Sequence, residues 1–279
     1  SYSSTWGRCS NSWISALRTT QANHTQVHEK LAQATTDFSE LAFNRVNGSG
    51  KKGIIASGVV HAKLMDALKG ADTSALSILK LSSLYPLPKD LIASFLSQCE
   101  EILVLEEVDP YVEDGIKAIG YDTGNTPPII GKRTGHIASV SELFRWQMQK
   151  ALDNFLPGFS PETRYTEENW EDEKPFRKNH CAGCPFPEVI KALRSEAKVL
   201  GQNPFITADP GCVVMASELL DTKLSMGSAV SVACGLERAN IPERSIAVCG
   251  DSAFYHGGVN ALIHAHATNS TPILLVLDN

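Results

Sequence analysis

Apolar residues in the first half of the chain occur in short runs that alternate with segments of helical periodicity. The runs GIIASGVV (residues 53–60), ALSILKLS and EILVLEEV are rich in aliphatic and β-branched residues and are predicted to form strands. Each run precedes a segment with helical spacing: residues 61–68, PLPKDLIASFL and YVEDGIKAIG, the last expected to end at Gly120 as its C-cap. Three strand–helix repeats predict a parallel sheet covered by helices.

The same alternation returns after residue 180. PEVIKALRSEA is predicted to be helical, PFITADPGC to be a strand that runs into a turn, and MGSAVSVACGLERA to be a helix of small residues. SIAVCGDS is the next predicted strand, and a helix near residues 258–267 connects it to the apolar run ILLVL. We therefore predict an α/β fold with two parallel-sheet, three-layer domains.

These patterns divide the chain into four segments. Residues 1–49 are a polar N-terminal segment with one amphipathic helix at residues 28–43, closed by the predicted loop NRVNGSGKK. Residues 50–134 form the first α/β domain. Residues 135–178, which include PETRYTEENWEDEKPFRKNH, show no period and are predicted to be a linker. Residues 179–279 form the second α/β domain, which we expect to be truncated at its C-terminal end.

Composition and charge narrow the class of protein. The 279 residues are 43% hydrophobic, enough for two domains with their own cores. A net charge of -6 argues against a nucleic-acid or membrane-surface binder. The seven cysteines are odd in number and unevenly spread, which favours the reducing cytoplasm over a disulfide scaffold. Because the chain starts at Ser1 and stops after an apolar strand, we expect an internal fragment of a longer polypeptide.

The last predicted βαβ unit places polar groups at the end of two strands. Asp251 follows the strand at residues 246–249, and Asn279 follows the strand at residues 273–277. In a parallel unit both lie at the carboxyl edge of the sheet, where ligands bind in open α/β folds. A carboxylate and an amide oxygen suit Mg²⁺ held against a diphosphate. The alternative is that Asp251 only caps the next helix, and the spacing alone does not decide between the two.

Three cysteines form a second group of candidate ligands. Cys181 and Cys184 form a CxxC motif before a predicted helix, and Cys212 lies at the predicted turn after ITADPG. Three thiolates are most of a site for an iron–sulfur cluster or Zn²⁺. A thioredoxin-type redox pair and buried free cysteines are the alternatives. Cys234 and Cys249 lie in apolar runs and are expected in the core.

GDS, followed by 26 residues and then Asn, resembles the thiamine diphosphate signature, although Ser252 replaces its usual third Gly. The resemblance implies that Asp251 and Asn279 bind Mg²⁺. It also implies that Gly250 and Ser252 face the diphosphate of the cofactor.

The order of CAGCP, DPGC, MGSAVSVACGLERA and GDSAFYHGGVNALIHA resembles that in the 2-oxoacid:ferredoxin oxidoreductases, most closely the large subunits of indolepyruvate ferredoxin oxidoreductases. GIIASGV, LSSLYPLP and LVLEE resemble the transketolase C-terminal-like domain that precedes the diphosphate-binding domain in that family. The resemblance covers about residues 31–279. It identifies residues 50–134 as the transketolase C-terminal-like domain and residues 179–279 as the first part of the thiamine diphosphate-binding domain.

The resemblance implies an enzyme that oxidatively decarboxylates an aryl 2-oxoacid of the indolepyruvate type. Thiamine diphosphate, Mg²⁺ and a [4Fe–4S] cluster are the implied cofactors, with Cys181, Cys184 and Cys212 as the implied cluster ligands. Met226 and Gly227 are weaker candidates for lining the thiazolium side. Coenzyme A would accept the acyl group, ferredoxin would accept the electrons, and a second (beta) subunit is the implied partner.

Two departures from the family pattern matter. Phe186 and Pro187 stand where the family usually has His and Arg after the CP of the cysteine motif. The pyrimidine-binding domain, whose Glu activates the cofactor, and the ferredoxin-like domain are not in this chain, so no catalytic residue is assigned and this polypeptide alone is expected to be inactive. A non-oxidative thiamine diphosphate enzyme and a non-catalytic, degenerate subunit are the alternatives.

Overall fold

A computed structural model of the chain describes residues 17–167 and 180–278. The chain divides into two compact units, Ser1–Lys174 and Pro175–Asn279. None of the helices in the described part of the chain is both long and apolar enough to cross a bilayer.

The described part of the first unit alternates strands and helices. Its elements are α1 (Leu17–Glu40), β1 (Arg45–Gly48), β2 (Lys52–Ser57), α2 (Gly58–Ala67), β3 (Leu76–Leu81), α3 (Lys89–Gln98), β4 (Glu101–Leu105), α4 (Tyr111–Thr123), β5 (Ile129–Ile130) and α5 (Arg145–Phe155). The sheet has the order β1-β3-β2-β4-β5. All its pairs are parallel except that of β1 with β3.

Two hydrophobic clusters lie on the two faces of this sheet, because successive side chains of a strand point to opposite faces. Ile54 packs with Leu64 of α2 in one cluster. Its neighbour Ile55 packs with Phe95 of α3 in the other cluster. This central, apolar strand is buried on both sides, as the sequence predicts for a parallel sheet. The α/β fold class is confirmed.

The N-terminal segment differs from its prediction in two places. The helix begins at Leu17, well before residue 28, and ends at Glu40. The predicted loop NRVNGSGKK contains strand β1, whose residues are all exposed. The loop prediction was wrong because an exposed edge strand carries no apolar run that would mark it.

The cap predicted for α4 was also wrong. The helix continues to Thr123 and ends at Gly124, which adopts the left-handed conformation with φ of 67°. Gly120 instead lies inside the helix, where a Cβ atom would come within 2.9 Å of the Asn125 carbonyl oxygen. The chain after the helix folds back across Gly120, which explains the glycine there.

The predicted linker contains helix α5. Met148, Ala151, Leu152 and Phe155 are buried and join the cluster around Leu64. These four residues are spaced so that they lie on one face of a helix. The sequence analysis did not recognise this spacing, because most of the neighbouring residues are charged or polar. The linker prediction is therefore wrong for this stretch, and residues 168–179 lie outside the described residues.

Lys63 of α2 connects three segments of this unit. Its ammonium group donates to Glu107 Oε1 at 3.1 Å, to Glu142 Oε2 at 3.0 Å and to the Leu143 carbonyl oxygen at 2.9 Å. Burial alone would lower the pKa of Lys63, but the hydrogen bonds with Glu142 and Glu107 outweigh burial and raise it. The Lys63 side chain is only 13% exposed.

We expect Lys63→Met to lower the free energy of unfolding by about 2 kcal/mol, less than the ~3–5 kcal/mol for fully buried pairs, because Glu142 is partly exposed. Denaturant unfolding of the variant measures this loss. Lys150→Met removes a charge from an exposed position and should change stability by less than about 0.5 kcal/mol. Equal stability of the two variants would contradict the role of Lys63.

The second unit is built on a smaller, wholly parallel sheet. Its elements are α6 (Phe186–Val199), β6 (Phe205–Ala208), a 3₁₀ helix (Cys212–Leu219), β7 (Thr222–Lys223), α7 (Ala229–Arg238), β8 (Ser245–Gly250), α8 (Asp251–Ala253), a π-helical segment (Phe254–Gly258), α9 (Val259–Ala267) and β9 (Ile273–Leu277). The strand order is β7-β6-β8-β9. The 3₁₀ helix and β7 were not predicted.

The chain reverses its direction of travel across this sheet at β6. It goes from β6 to β7 on one side and then crosses through α7 to β8 on the other. The carboxyl ends of β6 and β8 therefore form a topological switch point, the place where open α/β sheets bind ligands.

Candidate site at the carboxyl edge of the second sheet

Two aspartates follow the neighbouring strands at the switch point. Ala208 of β6 pairs in register with Val248 of β8, Asp209 follows the first strand, and Asp251 follows the second. Gly250 pairs with Leu277 of β9, so the chain after Leu277 leaves the sheet at the same edge as Asp251. The parallel arrangement thus collects acidic side chains at one edge.

Asp251 is half-buried at the start of a helical run that continues through α8, the π-helical segment and α9. In residues 17–167 and 180–278, no hydrogen bond or ion pair occupies its carboxylate. Ser252, the next residue, is exposed. An unpaired carboxylate at the mouth of a sheet is suited to a cation, and the hydroxyl and first-turn N–H groups beside it are suited to an anion. Asn279 lies outside the described residues, and its role as a ligand stays a prediction.

Asp209 was missed by the sequence analysis, which treated it as part of a turn. It is 1% exposed, and its Oδ1 atom accepts a hydrogen bond of 2.8 Å from the Ala229 N–H at the start of α7. Its Oδ2 atom is buried without a partner in the described part of the chain. The signal in the sequence was an Asp directly after an apolar strand, the same position that Asp251 has after β8. Asp209 therefore fixes the start of α7 at the switch point.

The loop before α7 carries the two weaker candidates. Gly227 has a φ of 82°, and a Cβ atom there would come within 3.0 Å of the Gly257 Cα atom in the π-helical segment. This contact brings the loop against the helical run that Asp251 begins. Met226 is 48% exposed beside it. Met226 and Gly227 both lie in the loop between β7 and α7. Their contact with a cofactor stays a prediction.

The CxxC motif forms a tight turn. The Cys184 N–H donates to the Cys181 carbonyl oxygen at 2.9 Å, and Gly183 adopts a φ of 75°. Cys181 is exposed, whereas Cys184 is half-buried against the cluster that contains Phe186. Cys212 is exposed at the start of the 3₁₀ helix. The interpretation as buried free cysteines is therefore wrong for Cys181 and Cys212.

The three thiols are not assembled into one site. Nowhere in the part of the chain that the structure describes do three His, Cys, Asp or Glu side chains come together as a potential metal site. The predicted convergence of Cys181, Cys184 and Cys212 is thus not seen, and their assignment to an iron–sulfur cluster stays a prediction. Cys181 and Cys184 are both free thiols, without a disulfide between them.

The departure from the family pattern after the CP dipeptide has a structural consequence. Phe186 begins α6 and is 7% exposed in the hydrophobic cluster under that helix. Pro187 occupies the first turn, where its missing N–H costs no hydrogen bond. This position contributes to packing, and it offers no polar side chain to a ligand.

Cysteine reactivity should follow burial. Burial raises the pKa of Cys234, and burial together with the Asp209 carboxylate raises the pKa of Cys249 to about 11. In the folded, metal-free protein at pH 8 we expect iodoacetamide to modify Cys181 and Cys212, and Cys234 and Cys249 only after denaturation, because the thiolate is the reactive species. Peptide mass spectrometry measures each site. Labelling of Cys249 as fast as Cys212 would contradict this structure.

The residues at the carboxyl edge suit Mg²⁺ and a diphosphate better than the three cysteines suit an iron–sulfur cluster. The half-buried Asp251 carboxylate and the exposed Ser252 hydroxyl are hard oxygen donors at a switch point, which fits Mg²⁺ and a diphosphate. The three thiols are not brought together among the described residues, which gives less support to an iron–sulfur cluster.

Comparison with known proteins agrees with this site. Residues 209–279 match the family model of the thiamine pyrophosphate enzyme, C-terminal TPP binding domain. The match begins at Asp209 and includes both strand-end aspartates. The resemblance to thiamine diphosphate enzymes drawn from the motifs is thereby confirmed.

Six curated relatives are subunits IorA of indolepyruvate oxidoreductase. The chain is 32% identical to that of Archaeoglobus fulgidus over 262 residues, 90% of this chain and 41% of the relative. It is 33% identical to that of Methanothermobacter marburgensis, again over 90% of this chain and 41% of the relative. The chain thus spans about two-fifths of the length of these relatives. The chain is thus similar to the indolepyruvate oxidoreductase subunits IorA over nine-tenths of its length, and its residues 209–279 match a thiamine pyrophosphate-binding domain.

Proposed function

We propose that this chain is the part of a thiamine diphosphate-dependent 2-oxoacid oxidoreductase that holds Mg²⁺ and the diphosphate of the cofactor. The observation that carries the proposal is the Asp251 carboxylate, which has no hydrogen bond or ion pair within the described residues. It lies at the switch point of a sheet whose part from residue 209 onward matches a cofactor-binding domain. Domain boundaries at residues 50–134 and 179–279 belong to the same proposal.

Each residue of the site has a proposed task. Asp251 and Asn279 would hold Mg²⁺, and Gly250 and Ser252 would face the diphosphate. Asp209 would keep the start of α7 in place, and with it the loop that carries Met226 and Gly227 on the thiazolium side. When bound, thiamine diphosphate supplies the electron sink that allows a 2-oxoacid to lose CO₂.

The proposed overall reaction takes an aryl 2-oxoacid of the indolepyruvate type, coenzyme A and two oxidised ferredoxins. It gives an acyl-CoA, CO₂, two reduced ferredoxins and a proton. The names of the relatives support the oxidoreductase class and the indolepyruvate substrate. A second (beta) subunit is the proposed partner, because the relatives are named as subunits. A cytoplasmic location is part of the proposal, supported by the free cysteines.

Cys181, Cys184 and Cys212 are the proposed ligands of a [4Fe–4S] cluster in the complete enzyme. The exposure of Cys181 and Cys212 supports this part of the proposal, and the separation of the three thiols speaks against it. The same separation favours the non-oxidative alternative, in which no cluster is needed. Anaerobic reconstitution of the full-length protein and of a Cys212→Ser variant tests it, by iron content and visible absorption.

The experiment for the function is a turnover assay of the full-length protein with its second subunit under anaerobic conditions. Release of CO₂ and reduction of ferredoxin are measured with indolepyruvate, phenylpyruvate, 2-oxoisovalerate and pyruvate, each with and without coenzyme A. We expect coupled CO₂ release and ferredoxin reduction that need thiamine diphosphate and are fastest with an aryl substrate. CO₂ release without reduction would establish the non-oxidative alternative. Absence of cofactor binding would establish the degenerate subunit.

A further inference from the structure

Two histidines of α1 face each other on the surface of the first unit. His24 and His28 lie one helical turn apart, and both are exposed. Their Nε2 atoms are 3.0 Å apart, and their ring centroids are 4.5 Å apart with the ring planes at 69°. From this geometry we propose that His24 and His28 form a chelating site for a divalent transition-metal ion of the Cu²⁺ or Ni²⁺ class.

The spacing of the two nitrogens fits one shared metal ion. With metal–nitrogen bonds of about 2.05 Å, the 3.0 Å separation corresponds to an N–metal–N angle of about 94°. Square-planar and octahedral ions bind neighbouring ligands near this angle. A tetrahedral ion with the same bonds would need the nitrogens about 3.3 Å apart. The pair as placed therefore favours Cu²⁺ or Ni²⁺ over Zn²⁺.

Both imidazoles can direct an Nε2 lone pair at the same metal ion while each ring stays neutral. Each neutral imidazole then carries its proton on Nδ1, and the metal replaces the hydrogen bond that now joins the rings. Histidines at positions i and i+4 of a helix bind metal ions in this manner in other proteins. Helix α1 packs against α3, and the pair lies on a stretch of α1, residues 24–30, that is exposed throughout.

The remaining ligands of the ion would be water. No third His, Cys, Asp or Glu joins the pair among residues 17–167 and 180–278. The neighbouring Thr25 hydroxyl donates to the Gln21 carbonyl oxygen at 3.1 Å and leaves the two imidazoles free. The site is thus an open one with two protein ligands. It belongs to the first unit, whereas the carboxyl-edge site belongs to the second.

Calorimetric titration with NiCl₂ tests the proposal on the folded 279-residue chain after its exposed cysteines have been alkylated, so that accessible thiols cannot bind the ion. We expect one Ni²⁺ per chain, with the affinity reduced at least about 10-fold in His24→Ala and in His28→Ala. His264→Ala is the matched control, because His264 and His266 of α9 are exposed but only two positions apart and cannot face one another.

A second variant keeps the number of histidines constant. Gln26→His combined with His28→Ala moves one imidazole to position i+2 of His24, on another side of the helix. We expect this variant to bind Ni²⁺ as weakly as His28→Ala, with an unchanged helical circular dichroism signal. Unchanged affinity in His24→Ala, or full affinity in the variant with the moved histidine, would overturn the proposal. In the Cu²⁺-loaded chain, an electron paramagnetic resonance spectrum without nitrogen couplings would overturn it as well.

Discussion

Asp251→Ala is expected to abolish the Mg²⁺-dependent binding of thiamine diphosphate by the full-length protein. The variant removes the one carboxylate that follows β8 at the switch point, and the charge of the diphosphate–metal pair is then poorly compensated. Loss of a residue that only supports a metal ligand already costs 10–100-fold in affinity, so we expect a loss of more than about 100-fold for the ligand itself. Calorimetry with and without Mg²⁺ measures this loss.

Two further variants separate the metal role from the alternative of helix capping. Glu243→Ala removes the same charge from an exposed position before β8, at the opposite end of the strand, and should leave binding unchanged. The N-cap of α8 is Gly250, and no side chain makes a capping hydrogen bond there, so the structure does not support the capping role. Asp251→Asn keeps a side chain that can cap a helix but removes the charge. Full binding by Asp251→Asn would show that the charge of Asp251 is not needed to hold the metal. Weak binding by both Asp251 variants would support the metal ligand.

Sequence reasoning succeeded where burial and local pattern agree. The apolar runs that became β2, β3, β4 and β8 are central strands buried on both faces, so most of their residues are hydrophobic and they can be recognised as strands. The parallel connection then places Asp251 at the carboxyl edge without further information. The fold class and the position of Asp251 at the carboxyl edge could therefore be predicted, whereas its role as a ligand stays a prediction.

The parts that were missed depend on partners far away in the sequence. Strand β1 is held by pairing with β3, and its exposed residues carry no pattern of their own. Helix α5 has only a narrow apolar face among polar neighbours, and that face becomes significant only beside Leu64. The orphan oxygen of Asp209 can be recognised only when its surroundings are known. Spacing along the chain, likewise, could not establish whether the three thiols meet.

Asp209 gives a prediction that sequence reasoning could not have made. Asp209→Ala leaves the buried Ala229 N–H without an acceptor, and it should lower the free energy of unfolding by about 1–3 kcal/mol. Asp209→Asn keeps an acceptor oxygen for that N–H and removes the charge from a buried carboxylate whose second oxygen has no partner in the described residues. We therefore expect Asp209→Asn to be at least about 1 kcal/mol more stable than Asp209→Ala.

Cys249 reports on the same carboxylate from the neighbouring strand. Burial is the larger cause of its raised pKa, and the negative charge of Asp209 adds to it. Asp209→Asn should therefore lower the pKa of Cys249 while the thiol stays buried, whereas a variant that merely loosens the fold would also expose Cys234. Denaturant unfolding gives the stability of the two variants, and the pH dependence of alkylation at both cysteines gives the charge effect. If Asp209→Asn were as unstable as Asp209→Ala, the hydrogen bond to the start of α7 could not be what Asp209 contributes, and its second oxygen would have to be the one that matters.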